Sequence, residues 1–346
     1  MVKSDTYILK SFVVILFVLM LTACGGGSTD TAAPNKATSA AESGGKQVSQ
    51  QEQESSDSKT SNTDSVQTKT IQTATGQLEI PVNPKRIVMD GYLPNMLILG
   101  IKPVGAMQWD LDNKVIKDQI AGIESVGERS LEKMLDLDPD LIVTWLDPKY
   151  DGKIIEQYNK IAPTIVLPYN YFSSIYESTR YFGDIFDKQK EAEQWLTEFD
   201  QDSAEARTKI NKVVKPKDTF ALMGVFVVDS AFYIYGDGGY RGGEAIYQHL
   251  KLNPPPKQKQ EMIGKQSSKK VSFEVVHEYA GDYIFLDQGK MIAEVWGSNE
   301  GVWKSLDAVK NNRVFDLDPD LFWGNDPISL KLQIKELAKM ITERAK

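Results

Sequence analysis

The chain has 346 residues, too many for one small domain and enough to bury two hydrophobic cores. A formal net charge of −8 argues against nucleic acid or an anionic bilayer as the partner of the folded part, because both repel an acidic surface. A single cysteine excludes an intrachain disulfide and any cysteine cluster for zinc or iron–sulfur chemistry.

The first element is an apolar run from Ser11 to Leu21, preceded by Lys3 and Lys10. It is shorter than the ~20 residues that span a bilayer and reads as a secretory signal over residues 1–23. It closes on Leu21-Thr22-Ala23-Cys24 followed by Gly25-Gly26-Gly27, which resembles the lipobox of bacterial lipoproteins. That resemblance implies a lipidated Cys24 at the mature N-terminus, anchoring the protein without a spanning helix. From Gly25 to about Lys69 the chain has no aromatic residue and almost no aliphatic one, so it cannot offset its ordering entropy. Residues 24–75 are therefore expected to be a disordered tether, reaching roughly 40 Å as a flexible coil.

Beyond Pro84 the pattern alternates short apolar runs with amphipathic stretches. Arg86 to Met89, Val104 to Met107, Leu141 to Thr144 and Ala162 to Leu167 read as buried strands. Helices are expected over Leu93–Leu99 and from Ser130 to Leu137, which makes residues 80–177 an N-terminal α/β lobe with a parallel sheet. The period then lengthens to that of one long helix over 178–214, with Ala192, Trp195, Leu196 and Phe199 on one face. Strand-like runs resume at Phe220–Val228, Phe232–Tyr235, Asp282–Leu286 and Arg313–Phe315. A closing helix runs from Leu330 to about Arg344, so that residues 215–346 form a second α/β lobe. The expected fold is two α/β lobes joined by a single long rigid helix. An internal echo supports the two halves: Ser130-Leu-Glu132 precedes Asp140-Leu-Ile-Val by the same interval as Ser272-Phe-Glu274 precedes Asp282-Tyr-Ile-Phe.

Catalytic and metal-binding patterns are missing from the sequence. His249 and His277 lie in no hydrolase or zinc-protease context, and two imidazoles are too few for a histidine metal site. Asp-Leu-Asp-Pro-Asp-Leu occurs at 136–141 and 316–321, but Leu141 and Leu321 stand where a calcium loop needs glycine, so both copies read as turns. No catalytic residue, no metal site and no cofactor are expected. The informative stretch runs from Tyr233 to Tyr247. Its glycine-rich turn presents Tyr235, Tyr240 and Arg241, a fork of donors with apolar faces that suits a flat, oxygen-rich ligand.

Several segments together resemble the iron-siderophore and cobalamin class of ABC-transporter substrate-binding proteins. They are Pro84-Lys-Arg-Ile-Val, Ile98 to Ala106, Ser130-Leu-Glu-Lys-Met-Leu, Asp138-Pro-Asp-Leu-Ile-Val, Ser272-Phe-Glu and Trp303 to Val314. The resemblance spans nearly all of residues 80–346 and implies the class III periplasmic-binding-protein architecture. Tyr235 to Tyr247 and Phe322-Trp-Gly-Asn-Asp-Pro327 look like the ligand-facing segments of Gram-positive ferric hydroxamate binders. That likeness makes Tyr235, Tyr240, Arg241 and Trp323 ligand contacts; Trp109 and Trp145, each just after an expected strand, are cleft candidates from the other lobe. The family pattern has tryptophan just before the arginine, where this chain has Tyr240. The same family uses one glutamate on each lobe to engage its permease, and Glu132 and Glu274 match those positions. The implied protein is a monomeric, lipid-anchored receptor on the extracytoplasmic face of a Gram-positive membrane that hands an iron(III)-siderophore to an ABC permease. One obvious arginine favours a roughly neutral hydroxamate over a catecholate carrying about three negative charges. Catecholate, citrate, haem and cobalamin remain the alternatives within the class.

Overall fold

The computed structural model describes residues 67–226 and 228–344. The signal segment 1–23, Cys24 and most of the tether lie outside the described residues. No described helix is long and apolar enough to cross a membrane.

Ordered structure begins earlier than the sequence reading placed it. Strands β1 (Thr68–Thr73) and β2 (Gly76–Pro81) form an antiparallel hairpin in the register Thr73↔Gly76 to Thr68↔Pro81. The expected tether boundary at residue 75 therefore falls inside an ordered hairpin. The reason is a period-two pattern hidden in polar sequence: Ile71, Leu78 and Ile80 point inward, and Ile80 is fully buried. The hairpin is tied down by Ala74 N–H donating to the Val166 carbonyl at 3.2 Å and by the Tyr181 hydroxyl donating to the Gln72 carbonyl at 2.8 Å.

The first lobe is built on β3 (Ile87–Asp90), β4 (Gly105–Ala106), β5 (Glu124–Ser125), β6 (Leu141–Thr144) and β7 (Thr164–Val166). They form one parallel sheet in the order β5-β4-β3-β6-β7. Both faces are covered, which explains the unbroken apolar runs. Ile87, Met89, Leu141 and Val143 feed one core, while Val88 and Ile142 feed the other with Met134, Ile155 and Tyr158. Helices α1 (Leu93–Ile98), α2 (Gln108–Leu111), α3 (Leu131–Asp136) and α4 (Pro148–Tyr158) connect the strands.

The expected connecting helix is a helical hairpin. Helix α5 (Ile175–Ile185) ends at a turn in which Asp187 adopts φ 54°, and α6 (Gln189–Ile210) then runs back. Gly183 permits the tight return, because a Cβ there would stand 2.8 Å from the Ala192 Cβ. Both arms serve both lobes. Phe182, Ile185 and Ala192 belong to the first core, whereas Ile175, Phe199, Ala206 and Ile210 belong to the second. At 1.5 Å per residue α6 is about 33 Å long, and Arg207 and Lys209 in its last turn complement its dipole.

The second lobe contains β8 (Phe220–Phe226), β9 (Ala231–Tyr235), β10 (Ser268–Lys270), β11 (Tyr283–Asp287) and β12 (Val314–Leu317), ordered β10-β9-β8-β11-β12. The segment β8-β11-β12 is parallel, and β9 and β10 are antiparallel additions. Helices α7 (Pro256–Glu261), α8 (Ile292–Trp296), α9 (Glu300–Ser305) and α10 (Asp307–Lys310) precede the closing α11 (Pro327–Arg344), which packs along α6. The sequence echo has a structural basis. Asp140 accepts from the backbone N–H of Lys85 and Arg86 at the entry to β3, and Asp282 accepts from Thr219 N–H at the entry to β8.

Candidate functional site

Parallel strands place the residues that follow them at one edge of the sheet, where α/β proteins gather ligands. In the first lobe, β4 leads into α2 with Trp109, β6 into Trp145, and β7 into the loop that carries Tyr169. Trp109 and Trp145 stack with ring centroids 4.8 Å apart and planes 18° apart. Tyr169 meets Trp145 edge-on at 5.8 Å. Gly91 makes room for this: its φ is 101°, and a Cβ there would stand 2.9 Å from Trp145 Cγ.

The second lobe completes the row. Tyr169 stacks on Tyr240 at 6.1 Å with planes 15° apart, so four rings run from one lobe to the other. Trp109, Tyr169 and Tyr240 are each a little over 40 % exposed, as is Trp323, unlike the core aromatics around them. Tyr240 sits in the Gly236–Gly243 loop between β9 and the short π-helical turn Glu244–His249. Only glycine fits at Gly242, whose φ is 83° and whose Cβ would press on Phe322 at 2.6 Å. Tyr169 went unnoticed in the sequence, although its place just after an expected strand was the same signal that singled out Trp145.

Arg241 is placed differently from expectation. It is 2 % exposed, and its guanidinium lies under the Trp323 indole, 4.3 Å from the ring centroid. Its backbone φ of 61° turns the side chain inward, and Nε stands 3.3 Å from Asp287 Oδ2. Asp287, at the end of β11, is fully buried and was not anticipated. Tyr235 is also buried, its ring in the second core and its hydroxyl beside the same pair. Hydrogen bonding there is incomplete: Arg241 Nη1 has no partner among the described residues, and the Tyr235 hydroxyl and Gln288 N–H approach the Asp287 carboxylate without good hydrogen-bond alignment. Burial pushes the Asp287 carboxyl up to about 6, against the pull of the Arg241 charge.

Further carboxylates stand behind the aromatic row. Asp90 is buried at the end of β3, and its Oδ2 accepts from Arg129 Nε at 2.9 Å, Thr144 Oγ1 at 3.0 Å and the Tyr158 hydroxyl at 3.0 Å. Asp110 accepts from Gly91 N–H at 3.2 Å. Burial drives its carboxyl up to about 7, with the charges of Asp90 and Asp326 pushing further. Two polar contacts link the lobes beside the row, Lys114 Nζ to Asp320 Oδ2 at 2.6 Å and the Tyr169 hydroxyl to Asn325 Oδ1 at 3.5 Å.

Glu132 and Glu274 occupy equivalent local positions. Each lies exposed in the first turn of a short helix, capped by Ser130 accepting from Lys133 N–H at 3.3 Å and by Ser272 accepting from Glu274 N–H at 3.2 Å. The histidines stand apart from the aromatic row. His277 is exposed, and His249 packs on Phe199 with Nε2 3.3 Å from Glu244 Oε1.

Residues 97–321 match the periplasmic binding protein family. The Bacillus subtilis iron(3+)-hydroxamate-binding protein YxeB is 36 % identical over 299 residues, covering 83 % of this chain and 91 % of its own. Among solved structures, a FhuD-fold periplasmic binding protein component of a ferrichrome ABC transporter from Bacillus subtilis is 33 % identical. It superimposes with a TM-score of 0.70 over 79 % of this chain and all of its own. Staphylococcus aureus FhuD2 with bound ferrioxamine B is 31 % identical, with a TM-score of 0.66 over 76 % of this chain and all of that one.

Proposed function

We propose, given that this chain belongs to the periplasmic binding protein family, that it captures a ferric siderophore of the hydroxamate type between its lobes and delivers it to an ABC permease. The observation that carries this reading is the row Trp109, Trp145, Tyr169 and Tyr240 crossing from one lobe to the other, three of its rings a little over 40 % exposed, with Arg241 and Trp323 beside it. Apolar ring faces suit the shell of a wrapped iron complex. Arg241 Nη1, which has no hydrogen-bond partner among the described residues, and the Tyr235 hydroxyl beside it suit its iron-ligating oxygens. In this reading Trp323 moves off Arg241 as ligand enters, and no bond is made or broken in the ligand.

Delivery assigns Glu132 and Glu274 to the permease, one per lobe. Cys24 and the tether hold the monomeric head at the outer face of the cell membrane. The test is a titration of the full chain in detergent with ferrioxamine B, followed by tryptophan fluorescence. Saturable quenching is expected, and a flat response would refute the hydroxamate reading.

A further inference from the structure

We propose that Asp287 sets the charge selectivity of the site: it neutralises Arg241 from beneath and so tunes the cleft to electroneutral iron complexes and against polyanionic ones. This rests on the reading that the cleft takes a ferric siderophore. The starting observation is an ion pair that is closed to water yet poorly bonded. Arg241 is 2 % exposed and Asp287 is 0 % exposed, and Nε and Oδ2 stand 3.3 Å apart. An ion pair serving only stability consumes its hydrogen-bonding capacity, because unbonded buried charges are costly. Here Arg241 Nη1 is left over among the described residues, and the Tyr235 hydroxyl and Gln288 N–H make only poorly aligned approaches to the Asp287 carboxylate. The arrangement cancels charge while sparing donors, which is what recognition of a neutral, oxygen-rich surface requires.

The position of Asp287 is fixed by the sheet. Asp287 pairs with Gly224 across β11 and β8, and a Cβ at Gly224 would collide with the Asp287 backbone. Trp323 above the guanidinium excludes water from the other side, so the countercharge acts through a poorly screened medium. With the carboxyl titrating at about 6, the pair is ionised and electrically complete at neutral pH. Without Asp287 the same arginine becomes an uncompensated buried cation facing the ligand, and that favours anions.

The experiment compares the full wild-type chain with Asp287→Asn in detergent, using two probes: ferrichrome as the neutral complex and a ferric tris-catecholate as the anionic one. Dissociation constants come from tryptophan quenching at low salt, and circular dichroism verifies the fold. The expected result is that the ratio of the two constants moves at least about tenfold toward the catecholate in Asp287→Asn, and that added salt erases the shift. The double variant Arg241→Gln plus Asp287→Asn is expected to return the ratio to about its wild-type value, which a merely structural role for Asp287 does not predict. A folded Asp287→Asn protein with an unmoved ratio overturns the proposal. Should that variant not fold, the wild-type chain decides: tight, salt-sensitive catecholate binding overturns the proposal, and its absence beside firm ferrichrome binding supports it. Ferrichrome binding with an unmoved ratio sinks this inference alone, whereas a wild-type chain that binds neither probe sinks the siderophore reading with it.

Discussion

Asp110 offers a measurement of how much charge the site hides. Its side chain is 6 % exposed and accepts one backbone hydrogen bond, from Gly91, with no cationic partner among the described residues. Desolvation lifts its carboxyl from 3.8 to about 7, the Gly91 N–H pulls the other way, and Asp90 and Asp326 push it further up. Between those two values the folded chain holds a proton that the unfolded chain has released, so stability falls as pH rises through the window. About three units at ~1.4 kcal/mol each set a ceiling of roughly 4 kcal/mol. Water entry and local relaxation reduce this to about 2 kcal/mol. Asp110→Asn keeps the acceptor for Gly91 and removes the titration. It is expected to raise the midpoint of thermal unfolding by about 4–8 °C near pH 7.5 and to change little near pH 4. The assay is circular dichroism at both pH values. An equal gain at both, or none near pH 7.5, would refute the assignment of a buried, uncompensated carboxylate.

Tyr169→Ala removes the ring that joins the two lobes' aromatics and is expected to weaken ferrioxamine B binding about tenfold by fluorescence titration, and unchanged affinity would remove it from the site. Gly91→Ala places a Cβ 2.9 Å from Trp145 Cγ at a φ of 101°. It is expected to lower stability by about 1–3 kcal/mol and to alter the near-ultraviolet dichroism of the tryptophan stack; a wild-type spectrum would count against the contact. Glu132→Ala combined with Glu274→Ala is expected to leave affinity in solution unchanged while radioactive iron uptake by cells falls. Uptake at the wild-type rate would end the docking assignment.

What the sequence revealed follows from what is local. Buried parallel strands such as Leu141 to Thr144 are apolar on both faces and announce themselves, and the position just after a strand singled out Trp109 and Trp145, which stack on each other at the sheet edge. The hairpin at residues 68–81 stayed hidden because only Ile71, Leu78 and Ile80 mark it within threonine- and glutamine-rich sequence continuous with the polar stretch before it. The break at Asp187 was equally silent, since a non-glycine residue in the left-handed region leaves no compositional trace. Asp287 lies 46 positions beyond Arg241 on a different strand, and nothing short of the β8–β11 pairing brings them together. For the same reason the arginine read as an open fork, when folding covers it with Trp323.

The helical hairpin constrains how capture can occur. Ile175 and Phe199 are seated in the second core and Phe182 and Ala192 in the first, so α5 and α6 are each gripped at both ends. A wide hinge would have to pull buried side chains out of one lobe, and each such residue resists by roughly 1.5–3 kcal/mol. Two rigid helices bridging in opposite directions also resist twisting better than one. Opening must then be mostly a matter of side chains at the cleft: Trp323 leaving Arg241, Tyr169 parting from Tyr240, and Lys114 releasing Asp320 across the rim. Trp323, Tyr169, Tyr240, Lys114 and Asp320 are each partly exposed, so moving these side chains costs less than unseating the core. Under that constraint Glu132 and Glu274 keep nearly the same separation with or without ligand, so a permease that engaged both carboxylates would also have to read the small changes at the cleft edge to tell the two forms apart.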